Sequence, residues 1–238
     1  MVLSLLVALV LQPDPLLAGL RAPDGEAPNC SSTFTVESVQ GEERDRRVYR
    51  YDAATGESEM IEGSPEAMKA HAERKAEEAR EAEEAEASSG EEDDEESGTV
   101  SFGMVPYADA IRTDGLDFAR SGTEDGLVVF RAGPPLPKGT FEASGRDMSK
   151  RSAATLWIEP GETPRLRRHA YALEKEFRVP MIARVRTLEQ VTEYELVEGR
   201  MTPVRFRITF DADVMGKTQA GETRMSLGDF DCAAAAAD

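Results

Sequence analysis

The chain is 238 residues long, with 46 acidic and 28 basic side chains for a net charge of −18, and it holds two Cys and two His. Such acidity repels phosphate, and no basic-aromatic surface stands out, which excludes nucleic acid as a partner. Two distant Cys without a C-x-x-C pair, and so few His, exclude the usual structural metal sites, so neither metal nor cofactor is expected.

Residues 2–11 (VLSLLVALVL) form an apolar run of about ten residues, half of the roughly 20 that a membrane-spanning helix needs. The run fits the apolar region of a secretory signal, with residues 1–13 as the leader. The alternative is a core strand or helix at the N-terminus. Export implies a soluble periplasmic or secreted protein with no transmembrane helix in the mature chain. Asp14-Pro15 then starts a short helix, with Asp as N-cap and Pro in the first position, and its continuation through Leu20 packs on the domain. Cys30 and Cys232 are expected to pair, because nothing in an oxidising compartment keeps thiols reduced. The other possibility is two buried free thiols in a cytosolic protein. The disulfide would close a loop of about 200 residues, for which the chain-entropy model gives roughly 5 kcal/mol as an upper bound. It would pin a first strand near residues 34–39 beside a last one near 225–230.

Residues 32–39 and 47–52 make the first hairpin, completing an N-terminal part at 14–63. An acidic insert follows at 64–98. Within it, residues 64–97 carry 14 acidic and four basic side chains, so much of the net charge belongs to this insert. Ser64-Pro65-Glu66 is a strong helix start, and the Ala, Glu, Lys and Arg that follow are good helix formers. With Met68 as its one large apolar residue, the helix should be exposed to solvent. The run SSGEEDDEESG at 88–98 can bury nothing and is expected to be disordered. Its six consecutive acids mark a solvated linker or, alternatively, a site for cations or a basic partner.

The main sheet is expected over 99–232. Residues 105–111 read as a short helix and 127–132 as a strand ended by Gly133-Pro134-Pro135. Residues 154–159 form a strand closed by Pro160-Gly161, with 166–173 as its return. In FRVPMIARV, Phe177, Val179, Met181, Ala183 and Val185 share one face, with Arg178, Arg184 and Arg186 on the other. Residues 190–197 add a strand that turns at Glu198-Gly199-Arg200. In PVRFRITFD, Val204, Phe206, Ile208 and Phe210 oppose Arg205, Arg207 and Thr209. Residues 211–217 and 221–228 make the last hairpin, before a tail at 233–238. Period-two alternation of this length argues for half-buried antiparallel strands. The fold class is therefore mainly β (α+β): about nine strands in a curved antiparallel sheet, two or three short helices, and one exposed acidic helix. With few helices to cover it, the sheet must curl to hide its apolar face.

Catalytic chemistry finds little support. His169 reads as a surface strand histidine and His71 as a solvated helix residue. Glu193/Glu195 and Asp211/Asp213 each place two carboxylates on one strand face, as acid–base or metal work would require, but a solvated face produces the same spacing. Gly216-Lys217-Thr218 lacks the upstream glycine of a phosphate loop. Trp157, Phe177, Val179, Met181, Val204, Phe206, Ile208 and Phe210 could line an apolar ligand face or form an ordinary core.

Two turn motifs accompany this alternation: Trp157-Ile158-Glu159-Pro160 with Thr163-Pro164, and Val197-Glu198-Gly199 with Pro203. Together with the strands around them, at about 154–230, they resemble the half-barrel of the LolA-like superfamily of bacterial envelope proteins, which carry and sort lipoproteins. The Cys-x-x-x-Phe start at Cys30 and Phe34 is similar to that of uncharacterised exported proteins of alphaproteobacteria. The resemblance implies a half-barrel and a helical lid around an apolar cavity for acyl chains. It transfers no lipid-contacting residue individually. Its implied function is a non-enzymatic, monomeric periplasmic carrier of a lipid, lipoprotein or apolar peptide. The alternative is a structural or interaction domain of the envelope with a filled core and an acidic tether.

Overall fold

The computed structural model describes residues 14–21, 30–88, 104–112, 115–143, 145–179 and 183–232. The apolar run at 2–11, the acidic stretch after residue 88, Met181 and the 233–238 tail lie outside them.

Helix α1 (Pro15–Ala18) begins where the Asp14-Pro15 pair requires, and the Asp14 carboxylate accepts from the Leu16 N–H at 2.9 Å. Strands β1 (Cys30–Gln40), β2 (Glu43–Asp52) and β3 (Glu57–Glu62) form a meander. Helix α2 (Pro65–Ser88) follows, and the Ser64 hydroxyl accepts from Ala67 N–H at 3.1 Å. Helix α3 (Tyr107–Ala110) precedes β4 (Ala119–Glu124) and β5 (Leu127–Ala132). A small hairpin of β6 (Glu142–Ala143) and β7 (Arg146–Asp147) stands apart from the main sheet. The C-terminal half contributes β8 (Ser152–Glu159), β9 (Arg165–Leu173), β10 (Phe177–Val179), β11 (Ala183–Val197), β12 (Arg200–Val214) and β13 (Lys217–Cys232).

Eleven strands join in one antiparallel sheet that does not close. Its order is β3-β2-β1-β13-β12-β11-β9-β8-β5-β4, with β10 also on β11. The first strand therefore lies against the last. Cys30 pairs with Cys232 in the β1–β13 register, and their sulfurs are bonded across a sequence separation of 202 residues. Two-residue turns at Asp125-Gly126, Glu198-Gly199 and Met215-Gly216 have positive φ at both positions, the type I′ pattern whose twist matches that of flanking strands.

The structure departs from the expected strands in three places. Residues 177–185 are not one strand: β10 folds back on β11, with Phe177 opposite Val185 and Val179 opposite Ala183. The sequence between the two strands holds Pro180, a residue with no N–H to give to a ladder. Conversely, residues 200–214 form a single long strand rather than two. Strands β3, β4, β6 and β7 stand in addition to those expected from the alternation.

One face of the sheet is apolar. Phe130, Leu156, Ile158 and Leu166 are wholly buried there with Tyr194, beneath Tyr107 and Ala110 of α3 and Leu16, Leu17 and Leu20 around α1. Further along, Phe34, Phe206 and Met225 pack with Met104 and Ile208, while Phe141 and Met148 cover Leu188, Phe177 and Phe210. Polar groups fasten the cover. The Tyr194 hydroxyl donates to the Val105 carbonyl at 2.8 Å, Val105 N–H donates to Thr192 Oγ1 at 3.5 Å, and Leu166 N–H donates to the Tyr107 hydroxyl at 3.3 Å. Burial raises the Tyr194 hydroxyl above its ordinary range, and also raises that of Tyr171, to about 12. Helix α2 is less free than a fully solvated helix. His71 meets Tyr49 edge-on at 5.7 Å between ring centroids, and Lys75 pairs with Glu57 at 3.2 Å.

Candidate functional site

Register across the strands decides which side chains share the opposite face. Trp157 on β8 stands beside Arg168 on β9, which stands beside Glu193 on β11, which faces Arg205 on β12. Directly opposed residues of an antiparallel sheet project to the same side. A second row runs from Val191 through Arg207 and Arg224 to Glu37 on β1. These two rows border a groove of about 570 Å³ that extends from Glu37 at one end to Glu124 and Trp157 at the other.

Ion pairs cross-link the groove walls. Arg168 lies 3.5 Å from Glu124 and 3.6 Å from Glu193. Arg205 reaches Glu193 and Glu195, each at 3.1 Å, and Arg207 reaches Glu189 at 3.2 Å. Arg224 turns to Glu222 at 2.5 Å. Trp157 is held at both its polar and its aromatic ends: its indole N–H donates to Glu124 at 2.8 Å, and the Arg168 guanidinium sits 5.2 Å from the ring centroid. That distance is within the range of a cation–π contact.

The residues proposed from sequence as an apolar ligand face do not all meet. Phe206, Ile208, Phe210 and Phe177 lie in the packed apolar clusters, and Val204 is buried beside them at the β12 bulge. Val179 ends β10, at the hairpin. Trp157 belongs to the opposite, charged face. The alternation in ATLWIE carries this signal, because Leu156 and Ile158 share one parity while Trp157 shares the other with Thr155 and Glu159.

The two carboxylate pairs are engaged by arginines. Arg186 donates to Asp211 through Nε at 3.1 Å and Nη2 at 2.6 Å, and to Asp213 through Nη1 at 2.7 Å. The hydrogen bond from Arg186 holds the Asp211 carboxyl below its ordinary range. A general acid near neutral pH needs the opposite shift. Glu193 and Glu195 share Arg205. His169 is not a surface residue: it is 3 % exposed, edge-on to Tyr171 at 4.4 Å, and burial pushes its pKa down to about 4. Among the described residues no group of three or more His, Cys, Asp or Glu could hold a metal ion.

No family model, curated protein or solved structure matches this chain. Functional assignment therefore rests on what the two faces can do. No helix among the described residues is long and apolar enough to cross a membrane. The disulfide fits an oxidising compartment.

Proposed function

We propose that this protein is a non-enzymatic interaction domain of the bacterial envelope, periplasmic or secreted, with a sheet core filled by its own side chains. One observation carries the reading: Phe206, Ile208 and Phe210 pack against Met104, Phe141 and Met148 of the chain itself. A face so occupied contributes to stability rather than presenting a site. The acidic run at 91–96 acts as a tether for a basic protein or cations. Deleting all of 64–97 would also remove the His71 and Lys75 contacts with the sheet. The cleaner test replaces Glu91–Glu96 with a Gly/Ser sequence of equal length. Capture of basic envelope proteins should disappear while circular dichroism stays unchanged. Retained capture would refute the tether.

A second reading is a LolA-like carrier, with the sheet curved as a half-barrel around an acyl chain or apolar peptide. The observation in its favour is the cover itself, since α1, α3, Leu136, Phe141 and Met148 lie over the apolar face as a lid would. Native mass spectrometry of detergent-free protein separates the two readings. An apo mass and no uptake of a fluorescent fatty acid support the filled domain, while a co-purified lipid supports the carrier.

A further inference from the structure

The groove on the charged face has a composition that selects its ligand. Its lining contains four carboxylates (Glu37, Glu124, Glu189, Glu193) and four guanidinium groups (Arg168, Arg205, Arg207, Arg224). The charges cancel, and the salt bridges above, together with that of Glu37 to Arg46 at 3.7 Å, engage them with one another or with neighbours at the rim. A polyanion or polycation meets a face of no net charge, where each favourable contact is offset by an unfavourable one with the neighbouring group of opposite sign. A neutral extended peptide lying on this face directs its N–H and C=O groups sideways along its two edges rather than down onto the ladder. An uncharged polyhydroxyl chain faces neither obstacle. Each hydroxyl both donates and accepts, so it can take an N–H from an arginine and give its proton to the next carboxylate, using lone pairs that the ion pairs leave open. The alternation Arg168, Glu193, Arg205 on the neighbouring strands β9, β11 and β12 is stepped by the strand spacing of about 4.8 Å, which is close to the length of one sugar ring.

An apolar element completes the site. Trp157 lies at one end of the groove, and its flat ring is oriented by Glu124 and Arg168 rather than free to rotate. Val191, buried between the Glu189 and Glu193 positions, gives the groove an apolar floor. A sugar ring has a hydroxyl-bearing rim and C–H faces, and it matches a polar wall beside an aromatic plane. Indole is the aromatic group most enriched at binding hot spots.

We infer that this groove binds a neutral oligosaccharide, with its C–H face on the side of the Trp157 ring that Arg168 does not cover and its hydroxyls bridging the Arg–Glu ladder. This site is separate from the apolar face, so it stands whether that face proves filled or lipid-bearing.

Trp157 is the only tryptophan in the chain, so intrinsic fluorescence reports directly on the groove. The full chain, with its disulfide formed, is screened on an array of neutral and charged glycans, and each hit is titrated as a free hexasaccharide. A neutral hexasaccharide should give a saturable change in Trp157 emission, with an affinity that barely responds to added salt. By calorimetry, Trp157→Ala should weaken it about tenfold, and Arg205→Ala should also weaken it. Met215→Ala, at an exposed turn far along β12, should leave it unchanged. Circular dichroism of each variant checks folding, and Trp157→Phe, which keeps a ring, should retain part of the affinity. Binding only by charged glycans with a steep salt dependence, no neutral hit on the array, or equal affinity in Trp157→Ala would each overturn the inference.

Discussion

On one face of the sheet, Leu156, Ile158 and Leu166 are fully buried under α1, α3 and the flanking Val105, Ile111 and Phe118. On the other face of the same strands, Arg168, Glu193 and Arg205 remain partly in water and hold one another. The contrast shows where stability is concentrated in this molecule. Apolar burial is worth about 25 cal/mol per Å², whereas an exposed ion pair contributes about 0–1 kcal/mol. The buried face can therefore hold the fold while the charged face stays adjustable. Substitution should show this asymmetry first at Phe130, which contacts the core from the centre of β5. Phe130→Ala should cost about 3–5 kcal/mol by the cavity it leaves, read as a lowered urea midpoint. A loss below about 1 kcal/mol would mean that the cover, and not the sheet, closes this core.

The disulfide tests a different seam. Strands β1 to β3 meet the remainder of the sheet through β1 and β13, where Phe34, Val36, Met225 and Leu227 also pack. Replacing Cys30 and Cys232 together with Ser should cost roughly 2–5 kcal/mol, because the unfolded chain regains a very long loop. The register of Phe34 with Leu227 should survive, observable as amide protection in β1 that falls no further than that in β8 and β9 when the variant is examined below its melting temperature. Loss of that protection alone, with β8 and β9 still protected, would show that the covalent bond holds the N-terminal meander in place.

His169 connects the buried face to pH. Burial pushes its pKa down to about 4, against about 6.5 in an unfolded chain. Above pH ~6.5 the ring is neutral in both states and contributes no pH dependence. Between ~6.5 and ~4 the unfolded chain takes up a proton that the folded chain refuses, so stability falls as pH falls, by about 3 kcal/mol over that window. His169→Gln should flatten this part of the stability–pH curve, measured by urea titration at successive pH values. An unaltered slope would assign the acid sensitivity to other groups.

The parts of this fold legible in the sequence are those where chemistry and periodicity agree. β5, β8, β9 and the Phe206–Phe210 stretch of β12 alternate plainly, and Asp14, Ser64 and the two cysteines carry capping or covalent signals that need no tertiary context. β4 was illegible as a strand because Ala-Arg-Ser-Gly-Thr-Glu buries nothing; it is exposed along its length. The Asp125-Gly126 dipeptide after it was the available clue. β3 buries Met60 but little else, too little for a periodicity. His169 was misread because its cationic neighbours, Arg167 and Arg168, suggested a solvated strand, while its own parity with Tyr171 places it inward. The groove was the least legible feature. Arg205, Glu193, Arg168 and Trp157 come from four strands, and only the register of those strands brings them into one row.

The smallest expected effect sharpens the comparison most. Arg205 is 59 % exposed at its side chain and bridges Glu193 and Glu195. Arg205→Ala should change stability by less than about 1 kcal/mol, and that small difference should shrink further as salt rises and screens the remaining like charges. If the charged face serves recognition, the same substitution should alter binding far more than folding. Measuring both on one preparation gives the ratio directly. A stability loss as large as that of Phe130→Ala would place Arg205 in the scaffold, and the division of labour between the two faces would not hold, because a half-exposed guanidinium can contribute on that scale only if its carboxylate partners are shielded from water far more than their positions on the open face allow.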